Sequence, residues 1–317
     1  MPDRIVLLVT SPRLPAGLLT AQAWDVCRTH PVFVGAESGQ TAALRATGAA
    51  LTVVAEPSAD VLLDAVAAHG TVVWLAGPAG DPDLARELGL RLAREPGRAE
   101  LELMYGSWDP PGARLLDAVA VMDRLVSPGG DPWKRAQTHR TLARFLLEEA
   151  YEAYDSIEAG DLGALREELG DVLLQIVLHA RLAEELPEEE RWSVDDVAGD
   201  LVDKMVRRNP HVFAGESVAD LDEITANWER IKRAEKARES IVDGIALAQP
   251  ALALADKALA RVQRAGLEVP LPAEDPLGAR LFALVSEARA HGLDAEAALR
   301  RTVLDYLNRV RAAEGTR

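Results

Sequence analysis

The hydrophobic pattern changes along the chain, and its first part alternates short apolar runs with amphipathic segments. The runs are rich in β-branched residues and end in turn residues, which predicts strands separated by helices. Strand-helix alternation of this kind predicts a small parallel sheet in an α/β domain. The predicted strands cover residues 4–10, 31–35, 50–55 and 71–77, and the predicted helices cover residues 18–29, 41–47, 61–69 and 83–94.

Helical periodicity dominates after a turn-rich linker at residues 108–112. Two long helices are predicted to meet at Gly160. At about 100° per residue, the apolar positions of the first of this pair form one arc, and Glu149 lies at its edge. From residue 172 the second helix has almost no polar side, which is typical of a buried helix. The predicted helices of this part are residues 114–126, the pair within 146–181, residues 194–208 and one that begins after residues 217–220.

A second helical repeat indicates a further domain boundary. Residues 277–289 align with residues 169–181, so the apolar pattern occurs twice. Pro276 stands in the place of Glu168 and Ala279 in that of Asp171, so the second copy lacks these acids. The fold is therefore predicted to be mainly α, with a small α/β domain at residues 1–107, a helical domain at 108–239 and a degenerate helical repeat at 240–317.

Composition supports a helical protein and limits its partners. The 317 residues are 48% hydrophobic and only 4% aromatic, with a formal net charge of −16. This charge disfavours polymeric nucleic acid as a partner. Cys27 is the single cysteine, which excludes an intrachain disulfide and favours a cytoplasmic location. The apolar run at residues 5–10 is too short for a signal peptide core, and polar residues interrupt residues 244–260, so no membrane partner is expected.

Four carboxylates form two i,i+3 pairs on the helices that meet at Gly160. Glu149 and Glu152 lie on the first helix, and Glu168 and Asp171 lie on the second, beside apolar positions in each case. Buried anions are costly unless they are paired or bind a metal, and oxygen ligands suit Mg²⁺ or Mn²⁺. One such pair alone is usually a solvated helix face. Two pairs on apolar helices favour a metal site.

The order of these acids also resembles a known signature. Glu148-Glu149-x-x-Glu152, followed by Glu168-Leu169-Gly170-Asp171, is similar to the EExxE and ExxD motifs of the MazG family of nucleoside triphosphate pyrophosphohydrolases. The resemblance covers residues 116–266. It implies a homodimeric all-α bundle that hydrolyses a nucleoside triphosphate between the α and β phosphates with Mg²⁺ or Mn²⁺. It implies Glu149, Glu152, Glu168 and Asp171 as metal ligands and Glu148 as the residue that orients or deprotonates water.

Three further segments resemble the same family. Residues 131–139 are similar to CPWD-x-x-QTH, with Asp131 and Lys134 as departures, residues 203–213 to DKL-x-RRHPHVF, and residues 228–236 to WE-x-IK-x-x-EK. Each implied role has a structural alternative: cations can cap a helix C-terminus, a lone tryptophan commonly belongs to a core, and a lysine is commonly exposed. The implied substrate-binding residues are Trp133, Lys204, Arg207, Arg208, Trp228 and Lys232.

The α/β part resembles a truncated tetrapyrrole methylase domain. It has no complete cofactor site, so a docking or dimer-supporting role is expected. The predicted function of the chain is Mg²⁺-dependent hydrolysis of nucleoside triphosphates, for the clearance of damaged or surplus nucleotides. The alternative is a non-catalytic helical dimerisation module whose acids bind a cation or face water.

Overall fold

The computed structural model describes residues 3–215, 220–235 and 239–315. The chain forms two compact units, Met1–Gly199 and Asp200–Arg317. Most described residues are helical, and the first unit also contains a small parallel sheet. The predicted mainly helical fold with an α/β part is confirmed. The division into three domains near residues 107 and 239 stays a prediction.

The α/β part contains a five-stranded sheet in which every pairing is parallel. All four predicted strands are present, and a fifth was missed. The strands are β1 (Arg4–Val9), β2 (Val32–Val34), β3 (Leu51–Val53), β4 (Thr71–Leu75) and β5 (Glu100–Tyr105). Their order across the sheet is β3-β2-β4-β1-β5.

Helices cover both faces of this sheet. They are α1 (Ala21–Thr29), α2 (Gly39–Ala46), α3 (Ala59–His69) and α4 (Pro82–Arg94). Successive side chains of a strand point to opposite faces, so Val6 and Leu8 pack with α1 and α2, whereas Ile5 and Leu7 pack with α3 and α4. Cys27 is buried in the first of these two cores, as expected for a lone thiol.

Strand β5 was missed because its pattern is that of an exposed edge. Glu100 and Glu102 alternate with Leu101 and Leu103, and Met104 is the one buried residue of the strand. Its pairing partner is β1, which lies almost a hundred residues earlier in the chain. The alternation of polar and apolar residues over 100–103 was the local signal that could have predicted this strand.

Capping residues explain the helices that follow the sheet. They are α5 (Arg114–Val126), α6 (Pro132–Arg135), α7 (His139–Ala159), α8 (Leu162–Ala183) and α9 (Val194–Arg208). Thr138 and Thr141 form a capping box at the start of α7. Gly160 ends this helix with φ of 69°, a left-handed conformation that favours glycine, and Asp161 caps α8 by accepting from two backbone N–H groups. The predicted junction at Gly160 is confirmed.

Helices α5, α7 and α8 share a core of their own. Leu142, Val177 and Leu178 are buried in it, together with Met122 and Val126. From residue 172 onward, as predicted, the residues of α8 are buried or half-buried, with the exception of Ile176, which is 40% exposed. Leu169, before this stretch, is 53% exposed, because α5 and α7 cover only one side of the helix.

The second unit contains short and long helices. They are α10 (Pro210–Phe213), α11 (Leu221–Ala234), α12 (Ala251–Arg264), α13 (Pro276–Ala290) and α14 (Ala295–Gly315). Asp220 caps α11 by accepting from the Glu223 N–H at 2.9 Å, while residues 217–219 of the predicted cap lie outside the described residues. Pro276 occupies the first turn of α13. Across the described part of the chain, every helix is too short or too polar to span a bilayer.

Candidate metal centre

The carboxylates predicted on α7 and α8 lie side by side. Glu149 and Glu152 are one helical turn apart on α7, and Glu168 faces them from the first half of α8. One carboxylate oxygen from each of these three residues lies within 4.8 Å of the others. The tight turn at Gly160 brings the two helices together as an antiparallel hairpin. Residues of α7 and α8 that are distant in sequence therefore lie beside each other. Three carboxylate oxygens so close together can coordinate one divalent cation.

Repulsion among these acids changes their protonation. Burial raises the pKa of Glu149, and the charges of Asp171, Glu152, Glu148 and Glu168 raise it further. The pKa of Glu168 is raised mainly by burial, then by the charges of Glu152 and Asp171. Both carboxyl groups thus carry an unfavourable negative charge at neutral pH. A divalent cation bound among them would relieve that repulsion, so the donor set fits the implied metal.

The raised pKa values predict how stability depends on pH without divalent cations. A carboxyl group whose pKa is higher in the folded state stabilises the fold at pH values below its unfolded pKa, and this stabilisation is lost as pH rises through the folded pKa. We compare the melting temperature of a Glu149→Gln/Glu168→Gln variant with that of the wild type in EDTA. The difference, variant minus wild type, should increase as the pH rises from about 4 to 7. Thermal unfolding followed by circular dichroism measures this difference.

Added Mg²⁺ provides the control for the pH experiment. It should stabilise the wild type most at neutral pH and have little effect on the double variant. A difference in melting temperature that stays constant over the whole pH range would contradict the assigned repulsion.

The remaining two predicted acids border the cluster. Asp171 is half-buried and Glu148 is exposed. Neither residue contributes an oxygen to the group within 4.8 Å. The charges of Asp171 and Glu148 nevertheless raise the pKa of Glu149. Asp171 lies on the Glu168 side of the hairpin, and Glu148 precedes Glu149 on α7. Their roles as ligand and water-activating residue stay predictions.

Polar residues that sequence reasoning left aside lie along the same helix pair. Gln175 of α8 is buried, and its Oε1 has no hydrogen-bond partner in the described structure. His139 and His179 join the start of α7 to the second half of α8, with their Nδ1 atoms 2.7 Å apart and their rings stacked. The pKa of His179 is lowered by burial and by His139. The Gln-Thr-His segment at residues 137–139 was the available sequence signal.

The loop before α7 is held by the two residues that depart from the family segment. Asp131 caps α6 by accepting from the Trp133 N–H at 2.9 Å, and its carboxylate pairs with Lys134 at 3.2 Å. Trp133 is 51% exposed, and its ring forms a T-shaped pair with that of Phe145 on α7, at a centroid distance of 5.8 Å. Asp131 and Lys134, which differ from the family segment, thus form an ion pair with each other, and Trp133 remains accessible to solvent.

In the second unit, two of the predicted substrate-binding cations share one carboxylate. Arg207 Nε donates to Glu235 Oε1 at 2.7 Å, and Arg208 Nη2 donates to Glu235 Oε2 at 2.6 Å. These guanidinium groups lower the pKa of Glu235 to about 2. The Arg208 guanidinium also lies 5.3 Å from the centre of the Trp228 ring, within cation–π range. Glu235, Arg207, Arg208 and Trp228 are called the arginine cluster below.

Glu235 lies within the family segment at residues 228–236, and the sequence predicts no role for it. The structure brings Arg207, Arg208 and Trp228 together through this residue, and Lys204 and Lys232 are both half-buried. Helix α9 ends at Arg208, so the alternative of C-terminal capping by its cations also fits the location. The roles of all five residues in substrate binding stay predictions.

The helical hairpin and its carboxylate cluster define a helical protein with an acidic site suited to divalent cations. A model of the MazG nucleotide pyrophosphohydrolase domain matches residues 137–213, which include the whole hairpin. The nucleoside triphosphate pyrophosphohydrolase of Escherichia coli (strain K12) is 37% identical over 227 residues, covering 62% of this chain and 85% of that protein. The chain therefore belongs to the MazG family of nucleoside triphosphate pyrophosphohydrolases, which are hydrolases of phosphoric anhydride bonds.

Two actinobacterial relatives are more similar in sequence. The nucleoside triphosphate pyrophosphohydrolase of Mycolicibacterium smegmatis is 49% identical over 208 residues, covering 64% of this chain. The chain spans 60% of that relative's length. An uncharacterized 26.1 kDa protein of Streptomyces cacaoi is 48% identical over 241 residues, covering 74% of this chain and 98% of that protein.

Proposed function

We propose that the protein hydrolyses nucleoside triphosphates between the α and β phosphates, which releases a nucleoside monophosphate and pyrophosphate. The observation that carries this proposal is the set of three carboxylate oxygens within 4.8 Å on α7 and α8. Family membership and relatives named nucleoside triphosphate pyrophosphohydrolases support it. The proposed role is the removal of damaged or surplus nucleotides in the cytoplasm, where a single buried thiol is chemically stable.

We assign the metal site to Glu149, Glu152, Glu168 and Asp171, with Mg²⁺ as the cation and Mn²⁺ as a substitute. When bound, the ion neutralises phosphate charge and acidifies water. The carboxylates position it beside the hairpin, and their mutual repulsion in its absence favours binding. Glu148 is exposed next to Glu149, so it can orient an attacking water and accept its proton.

The remaining predicted residues bind the substrate in this proposal. Lys204, Arg207 and Arg208 neutralise the leaving pyrophosphate, and Lys232 contributes a further cation. Trp228 and Trp133 offer aromatic faces for a base, a contact that tolerates different bases. Phosphoryl transfer requires mainly charge neutralisation and positioning, which are the roles that this proposal gives to these residues.

The products distinguish this reaction from other triphosphate hydrolysis. A panel of standard and oxidised nucleoside triphosphates should give monophosphate and pyrophosphate in equal amounts, in a reaction that requires Mg²⁺. Anion-exchange chromatography separates these products from diphosphate and orthophosphate. Release of a nucleoside diphosphate would contradict this proposal. If folded protein released no product, the non-catalytic helical module would be the better interpretation.

Glu235 is expected to matter for substrate affinity because it orients the guanidinium groups of Arg207 and Arg208. A Glu235→Gln change keeps the shape but weakens these charge-assisted hydrogen bonds. We expect KM for the triphosphate to rise about 3- to 10-fold while kcat changes less than about 2-fold. Steady-state kinetics measures both. The control is Glu268→Gln, an exposed acid outside the arginine cluster, and an unchanged KM in Glu235→Gln would contradict the orienting role.

We propose further that the protein is a homodimer and that residues 240–317 are a degenerate repeat. Large apolar side chains on the open side of α8 support the dimer. The repeat is supported by α13, whose first turn carries Pro276 where the first copy has Glu168. The proposed partners are the nucleotide substrate and a second copy of the chain.

A further inference from the structure

A cavity of about 590 Å³ opens at the carboxyl edge of the parallel sheet, in the α/β part of the first unit. Its walls come from the segments that follow three adjacent strands. Thr10 and Ser11 follow β1, Gly35 follows β2, and Ala76 and Gly77 follow β4. This volume lies within the range of small-molecule binding sites, about 300–1,000 Å³. The proposed hydrolysis makes no use of it.

The cavity lies where the sheet topology reverses. From β1 the chain crosses to β2 on one side, and from the neighbouring β4 it crosses to β5 on the other. The two connections run over opposite faces of the sheet, through α1 and α4. Loops that leave adjacent strands in opposite directions create a crevice at their carboxyl ends, and ligands of open α/β sheets bind there.

The charge of the walls disfavours an anionic ligand. Among the residues that line the cavity, all of them described, none is lysine, arginine or histidine, and the charged ones are Glu37 and Asp81. Asp81 Oδ2 accepts from Trp74 Nε1 at 2.7 Å and from the Gly77 N–H at 3.1 Å. Arg45 binds Glu37, and their hydrogen bond lowers the pKa of that carboxyl. Glu37 therefore remains charged at neutral pH.

The helix that starts at the cavity, α2, is capped by its own side chains. The first-turn N–H of Thr41 donates to Ser38 Oγ at 3.2 Å, and the Ser38 N–H donates to Thr41 Oγ at 2.8 Å. This capping box occupies two of the N–H groups at the start of α2, those of Ser38 and Thr41. The rest of the wall is largely apolar, from residues that include Val34, Pro57, Trp74 and Pro78.

We propose that this cavity is a second ligand site, which binds an uncharged molecule of the nucleoside class. The apolar walls would receive a flat ring, and the carboxylates and hydroxyls would accept from amino or hydroxyl donors. The same walls reject a phosphate group, so the site selects nucleosides over nucleotides. It is independent of the metal centre, because all of its groups belong to the α/β part.

Calorimetric titration of the full-length chain tests the proposal, with adenosine, guanosine, cytidine and uridine as probes and no divalent cation. We expect saturable binding of at least one nucleoside, and binding of its 5′-monophosphate at least about 10-fold weaker. Gly35→Leu should weaken the nucleoside at least about 10-fold, because a side chain there begins between Pro57 and Trp74, at ordinary contact distances of 3.7 and 3.8 Å, and extends into the cavity.

Three variants besides Gly35→Leu locate the binding and control for folding. Gly35→Ala adds only a Cβ that has room and should bind normally. So should Gly89→Leu, the same substitution on α4, where nothing lies within 4 Å. The proposal would be overturned by equal affinity for monophosphate and nucleoside, or by unchanged nucleoside affinity in Gly35→Leu. Loss of nucleoside binding in Trp228→Ala would also overturn it. So would the absence of binding with all four probes, whether or not triphosphate hydrolysis is found.

Discussion

Glu149→Gln is expected to lower the Mg²⁺-dependent release of pyrophosphate at least about 100-fold. Substitution of a residue that merely supports a metal ligand lowers metal affinity or activity about 10- to 100-fold, and substitution of a ligand should lower activity further. Burial and the charges of four neighbouring carboxylates raise the pKa of Glu149, and one of its oxygens lies within 4.8 Å of oxygens of Glu152 and Glu168. The amide keeps the size of the side chain and removes its charge. Initial rates over a range of Mg²⁺ concentrations measure the effect.

A matched substitution on the same helix distinguishes the loss of a charge at the metal site from the loss of a charge elsewhere. Glu158 is an exposed acid near the end of α7 and lies outside the carboxylate cluster. Glu158→Gln should keep wild-type rates. If Glu149→Gln retained more than about a tenth of the activity at saturating Mg²⁺, its assignment as a ligand would fail. Unfolding of the variant would be visible in its circular dichroism and would point to a structural role instead.

The candidate site was predictable because its geometry is local. Residues three apart on a helix share one face, and Gly160 predicts where one helix ends and the next returns. These two facts place Glu149, Glu152 and Glu168 together without knowledge of the rest of the fold. The three central strands β1, β2 and β4 were predictable for a similar reason, since burial on both faces leaves continuous apolar runs.

The features that escaped prediction depend on partners distant in sequence. Glu235 pairs with arginines 27 and 28 residues away, and no rule of local spacing links them. The exposed edge strand β5 is defined by its pairing with β1. The stacking of His139 on His179 similarly requires the finished helical hairpin. Such contacts follow from the fold and cannot be read from periodicity.

The partly exposed side of α8 has a regular pattern that suggests what covers it. Leu162, Leu169 and Ile176 are 78%, 53% and 40% exposed and lie seven residues apart. A seven-residue spacing places these side chains in one line along the helix, as at the seam between packed helices. A monomer would leave this stripe in water, whereas a second copy of the chain could bury it.

Ile176→Asp is therefore expected to convert a dimer into a monomer. A carboxylate in the middle of a buried apolar seam would lose its hydration without gaining a partner. Sedimentation velocity at micromolar protein measures the change, and Leu162→Asp on the same stripe should act in the same direction. Glu167→Lys reverses a charge at an exposed position of α8 that lies about 160° around the helix from Leu169, and it should leave the dimer intact. If the wild type is itself a monomer, or if Ile176→Asp remains a dimer, the stripe is not the dimer interface.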